Sequence, residues 1–142
     1  MIINEWIAGN DDISVPLKIR EDVFGDAGGR DGYDGYAMHL AVYSDDECVA
    51  AGRIYVDDRG RFRISHICVE ESSRGQGIGD LTAKLLLYKV FQSASQVRAE
   101  IDPALEGFFT RYGFAQEDIS GRTETIVLKK EDVIYPSKCS KR

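Results

Sequence analysis

The stretch Val69-Glu70-Glu71-Ser72-Ser73-Arg74-Gly75-Gln76-Gly77-Ile78-Gly79-Asp80 places three alternating glycines immediately before a run with helical periodicity. Glycine lets the main chain turn tightly and come close to a ligand, and the first-turn N–H groups of the helix that follows are unpaired at the positive end of its dipole. That combination suits phosphate. Two familiar phosphate patterns fail on spacing. A P-loop needs Gly-Lys-Ser/Thr after its glycines, and Gly79 is followed by Asp80 and Leu81. A dinucleotide fingerprint needs glycine at its sixth position, which is Asp80 counted from Gly75 or Thr82 counted from Gly77.

Other reactive side chains form weaker patterns. No Gly-x-Ser-x-Gly elbow occurs, and Ser65 beside His66 on a strand is expected to point to the opposite face, which leaves a hydrolase triad unsupported. Cys48, Cys68 and Cys139 are far apart without a C-x-x-C pair, so no metal is expected, and buried reduced thiols are the simpler assignment. Asp31, Asp34, Glu70 and Glu71 either ring an entrance with negative charge or belong to a solvated acidic surface. His39 begins a strand next to the acidic loop and is assigned a surface or core role.

The elements that must hold these residues are readable from periodicity. Residues 1–8 suit a first strand, and Ser14 and Pro16 start a helix ending near Gly25. Residues 25–35, dense in Gly and Asp, cannot pack a core and read as a long surface loop. From Ala37 three β-like runs, AMHLAVYS, ECVAAGRIYV and RFRISHICV, form an antiparallel meander. In the third, Phe62 and Ile64 share one parity and Ile67 and Val69 the other. A β-bulge near Ser65 and His66, or a central strand buried on both faces, accounts for the slip. Residues 80–92 give the clearest helix, its apolar stripe carrying Leu81, Leu85 and Tyr88 and widened by Ala83, Leu86, Leu87 and Phe91. QVRAEID is a further strand, PALEGFFTRYGF a short helix ended by Gly113, and GRTETIVLKK a last strand.

The chain has 142 residues, 24 Asp and Glu against 18 Lys and Arg, and 43% hydrophobic residues, which suits one α/β domain over residues 1–135 with a mobile tail at 136–142. A net charge of −6 with scattered basic residues argues against nucleic acid as a partner, and no apolar run is long enough for a membrane span. The first residues carry acids where a secretory signal carries lysines, so a cytoplasmic location is expected.

Arg74, Gly77 and Gly79 match Arg/Gln-x-x-Gly-x-Gly/Ala between a strand and a long helix, and Phe108-Phe109-Thr110-Arg111-Tyr112-Gly113-Phe114 matches a Phe-Tyr-x-x-Leu/Phe-Gly-Phe segment. On these motifs and their order the chain resembles the GNAT superfamily of acyl-CoA-dependent N-acyltransferases, over nearly its whole length. Arg20 to Phe24, the Asp31/Asp34 loop and His39 are similar to one bacterial branch. The resemblance implies a mixed, mostly antiparallel sheet flanked by helices, with the fourth and fifth strands splayed to admit acetyl-CoA.

It also implies that main-chain amides of Arg74, Gly75, Gln76, Gly77, Ile78, Gly79 and Asp80 hold the diphosphate of coenzyme A. Ile67, Cys68 and Val69 pair with its pantetheine arm, and the Val69 N–H faces the thioester carbonyl. Asp102 stands where the family often has a cofactor-contacting Asn, and Phe109 where it often has an acidic Tyr; Tyr112 is the nearest substitute, although packing is the commoner role there. His66 and Glu100, on the strands expected to splay, are the candidate bases. The implied activity is acetyl transfer from acetyl-CoA, without a metal, to a primary amine of a small molecule or peptide, cationic acceptors included. The implied partner is a second copy of the chain in a homodimer. A silent acyl-CoA sensor with the same fold is the alternative that Phe109 supports, and a nucleotide-phosphate binder is a further one.

Overall fold

The computed structural model describes residues 1–135, and the expected mobile tail and Cys139 lie outside the described residues. Seven strands form one sheet: β1 (Ile2–Ala8), β2 (Met38–Ser44), β3 (Glu47–Val56), β4 (Phe62–Val69), β5 (Gln96–Ile101), β6 (Ala115–Ser120) and β7 (Thr123–Lys129). Their order across the sheet is β1-β2-β3-β4-β5-β7-β6. Every neighbouring pair is antiparallel except β4 and β5, which run parallel and share a single ladder pair, Arg63 with Arg98. Beyond that pair the two strands part. The mixed, mostly antiparallel α/β sheet expected from the sequence is therefore present.

Helices α1 (Ser14–Phe24) and α2 (Ile78–Val90) both pack on β3 and β4. Ile19 of α1 meets Ala51 and Cys68, whereas Leu86 of α2 lies over the neighbouring Gly52, where an added Cβ would meet its Cδ1 at 2.6 Å. Successive strand residues face opposite sides, so the two helices cover opposite faces. A short helix, α3 (Glu106–Thr110), adds Phe109 to the main core, and Tyr112 and Phe114 follow it there. Ala83, Leu86, Leu87 and Phe91 of the expected stripe are buried, but the face turns toward Ile78, Thr82 and Val90, leaving Leu81 and Leu85 half-buried and Tyr88 65% exposed.

β4 is both bulged and covered on two sides. Ala51 pairs with Cys68 and Arg53 with Ser65, so Gly52 stands opposite two residues, His66 and Ile67. His66 absorbs the extra residue with φ +55°, in the left-handed region. The phase change is visible in the packing: Ile64 belongs to the α2-side core and Ile67 and Val69 pack against it, but Cys68 joins Ile19 on the α1 side.

Two further features depart from the sequence reading. Strand β6 was not expected, because all six of its residues are exposed and no apolar alternation marks it. The loop at 25–37 is no loose surface segment. It contains 3₁₀ turns at Gly25–Gly28 and Asp34–Tyr36, and Gly28 and Asp34 are buried.

Candidate active site

The gap between β4 and β5 opens into a cleft of about 600 Å³ whose walls come from the α1 C-terminus, the 25–37 loop, β3, β4, β5 and the α3 region. Glu70 N–H reaches back to Val49 O on β3 at 2.8 Å. Adjacent residues of a strand direct their N–H groups to opposite edges, so the Val69 N–H points away from β3, toward the parted side.

Past Val69 the chain turns through Glu71–Ser73 and enters α2 with Gly75 at φ +82° and Gly77 at φ +81°. A Cβ at either glycine would meet no atom within 4 Å, so the main chain there borders open space. Leu81 N–H closes the first turn onto Gly77 O at 3.0 Å. Among the described residues, no backbone acceptor meets the N–H groups of Gly75, Gln76, Gly77, Ile78, Gly79 or Asp80. Arg74 differs from them: its N–H bonds Glu71 O at 3.3 Å and its Nε donates to Val69 O at 3.0 Å, which folds the loop back on the strand end.

Asp80 looks unsuited to a phosphate site, yet its charge is offset. Lys84 lies 2.9 Å and Arg111 3.4 Å from its carboxylate, and the Tyr112 hydroxyl donates to it at 2.5 Å. Burial would raise the Asp80 carboxyl, but these partners outweigh it and hold the group below its ordinary value. The surroundings therefore carry no net negative charge, and their uncovered amides fit a diphosphate.

On the α1 side the walls are held by buried ions. Arg20 spans Asp34 with Nη1 at 2.8 Å and Nη2 at 2.7 Å, and donates from Nε to Gly28 O at 2.6 Å. Arg53 Nη1 bridges Asp34 at 2.9 Å and Asp31 at 2.7 Å, while its guanidinium lies 4.4 Å from the Tyr55 ring centroid, and Tyr33 stacks on Tyr55. His39 closes the cluster from β2, its Nε2 3.1 Å from Asp34 O. Burial alone would raise the Asp34 carboxyl; the hydrogen bonds of Arg20, the Asp31 N–H and Arg53 overcome it and leave the group well below the usual carboxylate range. Asp31 and Asp34 are thus consumed in holding the loop and do not ring an entrance with free charge.

His66 enters the cleft from the bulge. The positive φ overturns the expectation that Ser65 and His66 face opposite sides, since Ser65 Oγ lies 3.1 Å from His66 Nδ1. His66 Nε2 lies 3.1 Å from Ala27 O, and the Phe24 ring meets the imidazole edge-on at 5.5 Å. Burial, then the Arg53 charge, lowers the His66 pKa.

The other residues singled out in the sequence divide between the cleft and the core. Glu100, Asp102 and Phe109 line the cleft with Ile67 and His66. Asp102 caps the Pro103–Leu105 turn by accepting the Ala104 N–H at 2.9 Å. The Phe109 ring is buried against Phe108 and Phe114. Tyr112 is fully buried, its hydroxyl tied to Asp80 on the α2 side, and it does not line the cleft. Burial and the Asp80 carboxylate raise its phenol above the ordinary value. The Cys68 thiol is buried and pushed up to about 12. Arg53 and Tyr55 were missed as site residues and Ser65 was set aside, because only the tertiary fold brings residues 31–33, 53–55 and 65–66 together.

Comparisons with known proteins agree with this geometry. The solved structures similar to this chain include Escherichia coli ElaA, with 22% identity, a TM-score of 0.74 and coverage of 89% of this chain and 99% of that one. An acyl-CoA N-acyltransferase from Pseudomonas aeruginosa has 19% identity, a TM-score of 0.75 and the same coverage. FeeM, an N-acyl amino acid synthase from uncultured soil microbes, has 10% identity, a TM-score of 0.74 and coverage of 93% and 92%. No curated protein sequence matches the chain. The family described as acetyltransferase (GNAT) domain matches residues 29–128, from the acidic loop through β7, and with the glycine turn and parted strands in place the chain belongs to the GNAT acetyltransferase family.

Proposed function

We propose that the protein is an N-acetyltransferase that moves acetyl from acetyl-CoA directly to a primary amine of a small molecule or peptide, with no covalent intermediate on the enzyme. The observation that carries this reading is the single pairing of β4 with β5, which leaves a cleft between Ile67 and Glu100, together with the unpaired amides of Gly75 to Asp80 at the turn that follows β4. Those amides would hold the diphosphate, and Ile67 to Val69 would pair with the pantetheine arm. The Val69 N–H is the donor for the oxygen on which charge develops during attack.

An amine of pKa about 10 must shed a proton to attack. Two acidic residues line the cleft outside the ion network, Glu100 and Asp102; Asp102 caps the Pro103–Leu105 turn, and Glu100 draws a protonated acceptor toward the reacting end. His66 is the group suited to take the proton at neutral pH, because its lowered pKa keeps it unprotonated there.

The test is release of free thiol from acetyl-CoA in the presence of a panel of amines. Turnover with at least one amine is expected; tight coenzyme A binding with no turnover would establish the second reading, a silent acyl-CoA sensor. That second reading has its own support in Phe109, which has no proton to give, and in Tyr112, whose hydroxyl is bound to Asp80. In a thermal-shift comparison coenzyme A is expected to stabilise the protein more than ATP does, and the reverse order would remove both.

A further inference from the structure

A line of hydrogen bonds crosses the acceptor half of the cleft. Asp34 and Asp31 hold Arg53 through Nη1; Arg53 Nε lies 2.9 Å from Ser65 Oγ; Ser65 Oγ lies 3.1 Å from His66 Nδ1; His66 Nε2 lies 3.1 Å from Ala27 O. With the imidazole neutral, one arrangement of protons satisfies all of these contacts. A carbonyl oxygen only accepts, so Nε2 carries the ring hydrogen, and Nδ1 of the neutral imidazole is then an acceptor for the Ser65 hydroxyl. A guanidinium only donates, so Ser65 Oγ receives the Arg53 Nε hydrogen. Both ring nitrogens of His66 are engaged. The serine oxygen keeps one lone pair, and Ser65 lines the cleft.

From this accounting we infer that Ser65 Oγ, rather than an imidazole nitrogen, meets the acceptor amine and relays its proton to His66. The inference rests on the acyltransferase reading above. The ammonium first loses one proton to solvent; as the neutral amine nitrogen then bonds to the acetyl carbon, its second proton passes to Ser65 Oγ while the serine proton passes to His66 Nδ1. The carbon–sulfur bond breaks, and its electron pair leaves on the coenzyme A sulfur. The Nδ1 proton then returns through Ser65 Oγ to that thiolate or to water, which restores the starting state.

The surroundings bias each transfer. Arg53 places a fixed positive charge against Ser65 Oγ, which eases loss of the hydroxyl proton. Arg53 from β3 and Arg20 from α1 both disfavour a lasting imidazolium, Asp31 from the loop opposes them, and Glu100 faces the same cleft from β5. His66 therefore passes the proton on instead of storing it.

The test compares the intact chain with Ser65→Ala and Ser65→Thr. Ser65→Ala is expected to lower kcat by about 100-fold or more, the range of a lost general base, with acetyl-CoA affinity within about twofold; Ser65→Thr, which keeps a hydroxyl, should recover activity to within about tenfold. A merely structural serine would move stability and affinity and show no hydroxyl rescue. Nitrogen NMR of His66 in the unliganded wild type supplies a readout independent of the variants: hydrogen on Nε2 at pH 7 is expected, and hydrogen on Nδ1 overturns the relay. If wild type turns over and Ser65→Ala keeps its kcat within about threefold, the relay falls and the acyltransferase stands. If wild type releases no thiol with any amine, both fall.

Discussion

At the β4–α2 turn, Gly75, Gly77 and the start of α2 offer main-chain N–H groups to open space with little side-chain support. Across the strand, Arg20, Asp31, Asp34, Arg53 and Ser65 come from four separate stretches of chain and lock into one polar cluster in which Arg20, Asp34 and Arg53 are buried. A site made of backbone keeps its fold when its side chains change and loses function when its space is filled. A site made of paired charges loses its fold when one partner goes, because the remaining charges stay buried alone.

Asp34→Ala tests the charged side most severely. Arg20 and Arg53, each only 2–3% exposed, would lose their shared carboxylate. The expected loss is about 3–5 kcal/mol in urea unfolding, enough to unfold much of the chain, and retention of wild-type stability would show that solvent or Asp31 replaces Asp34. The same pairing sets a pH dependence. The folded Asp34 carboxyl titrates below its unfolded value of about 3.9, so its contribution is complete above that value and fades as pH falls toward the folded one. Acid unfolding should therefore begin below about pH 4, and Asp34→Asn should flatten that limb.

Gly77→Asp tests the backbone side. An Asp Cβ finds room there, so the cost to stability is the left-handed backbone, about 1 kcal/mol. Its carboxylate would occupy the space bordered by the α2 amides. Coenzyme A affinity by calorimetry should fall at least about 30-fold, or 2 kcal/mol; unchanged affinity would remove the assignment of the loop.

The contrast also governs what the sequence discloses. The glycine turn is local, so its residue types, spacing and following helix stand together in one short stretch, as does the phase slip that marks the bulge at His66. The buried ion cluster joins positions 20, 31, 34 and 53, and no local pattern in a Gly-Asp loop announces that one aspartate is fully buried. Ser65 and His66 were separated by strand alternation, a sound rule that the bulge suspends at that one residue. Tyr88 was placed inside because helical phase was counted from Leu81, whereas the core is met through Ile78, Thr82, Leu86 and Val90. β6 stayed invisible because an edge strand with every side chain in solvent needs no apolar period.

Tyr112→Phe asks whether the two halves share a residue. The Tyr112 hydroxyl supports Asp80 beside the α2 amides, and Lys84 and Arg111 remain when it is removed. A loss of about 1–2 kcal/mol of stability is expected, in the range of a hydrogen bond to a charged group, with kcat unchanged. A large fall in kcat at preserved stability would return Tyr112 to the chemistry as an acid.

Phe109→Tyr is the mildest change and bears on how the sulfur departs. The ring is only 7% exposed and packs against Phe108 and Phe114, yet it lines the cleft, so a hydroxyl at its tip has either the cleft or the apolar cluster to enter. Buried without a partner it costs about 1–3 kcal/mol, visible as lost stability with no gain in rate. Facing the cleft, it offers a proton to a leaving thiolate whose conjugate thiol titrates near about 8.5. Below that pH a donor helps, and above it the sulfur departs as the anion unaided. The gain in kcat should therefore be a few-fold at about pH 6.5 and vanish above about pH 9. A gain that persists into the alkaline range would mean that the hydroxyl acts on the developing oxygen charge and shares the role assigned to the Val69 N–H.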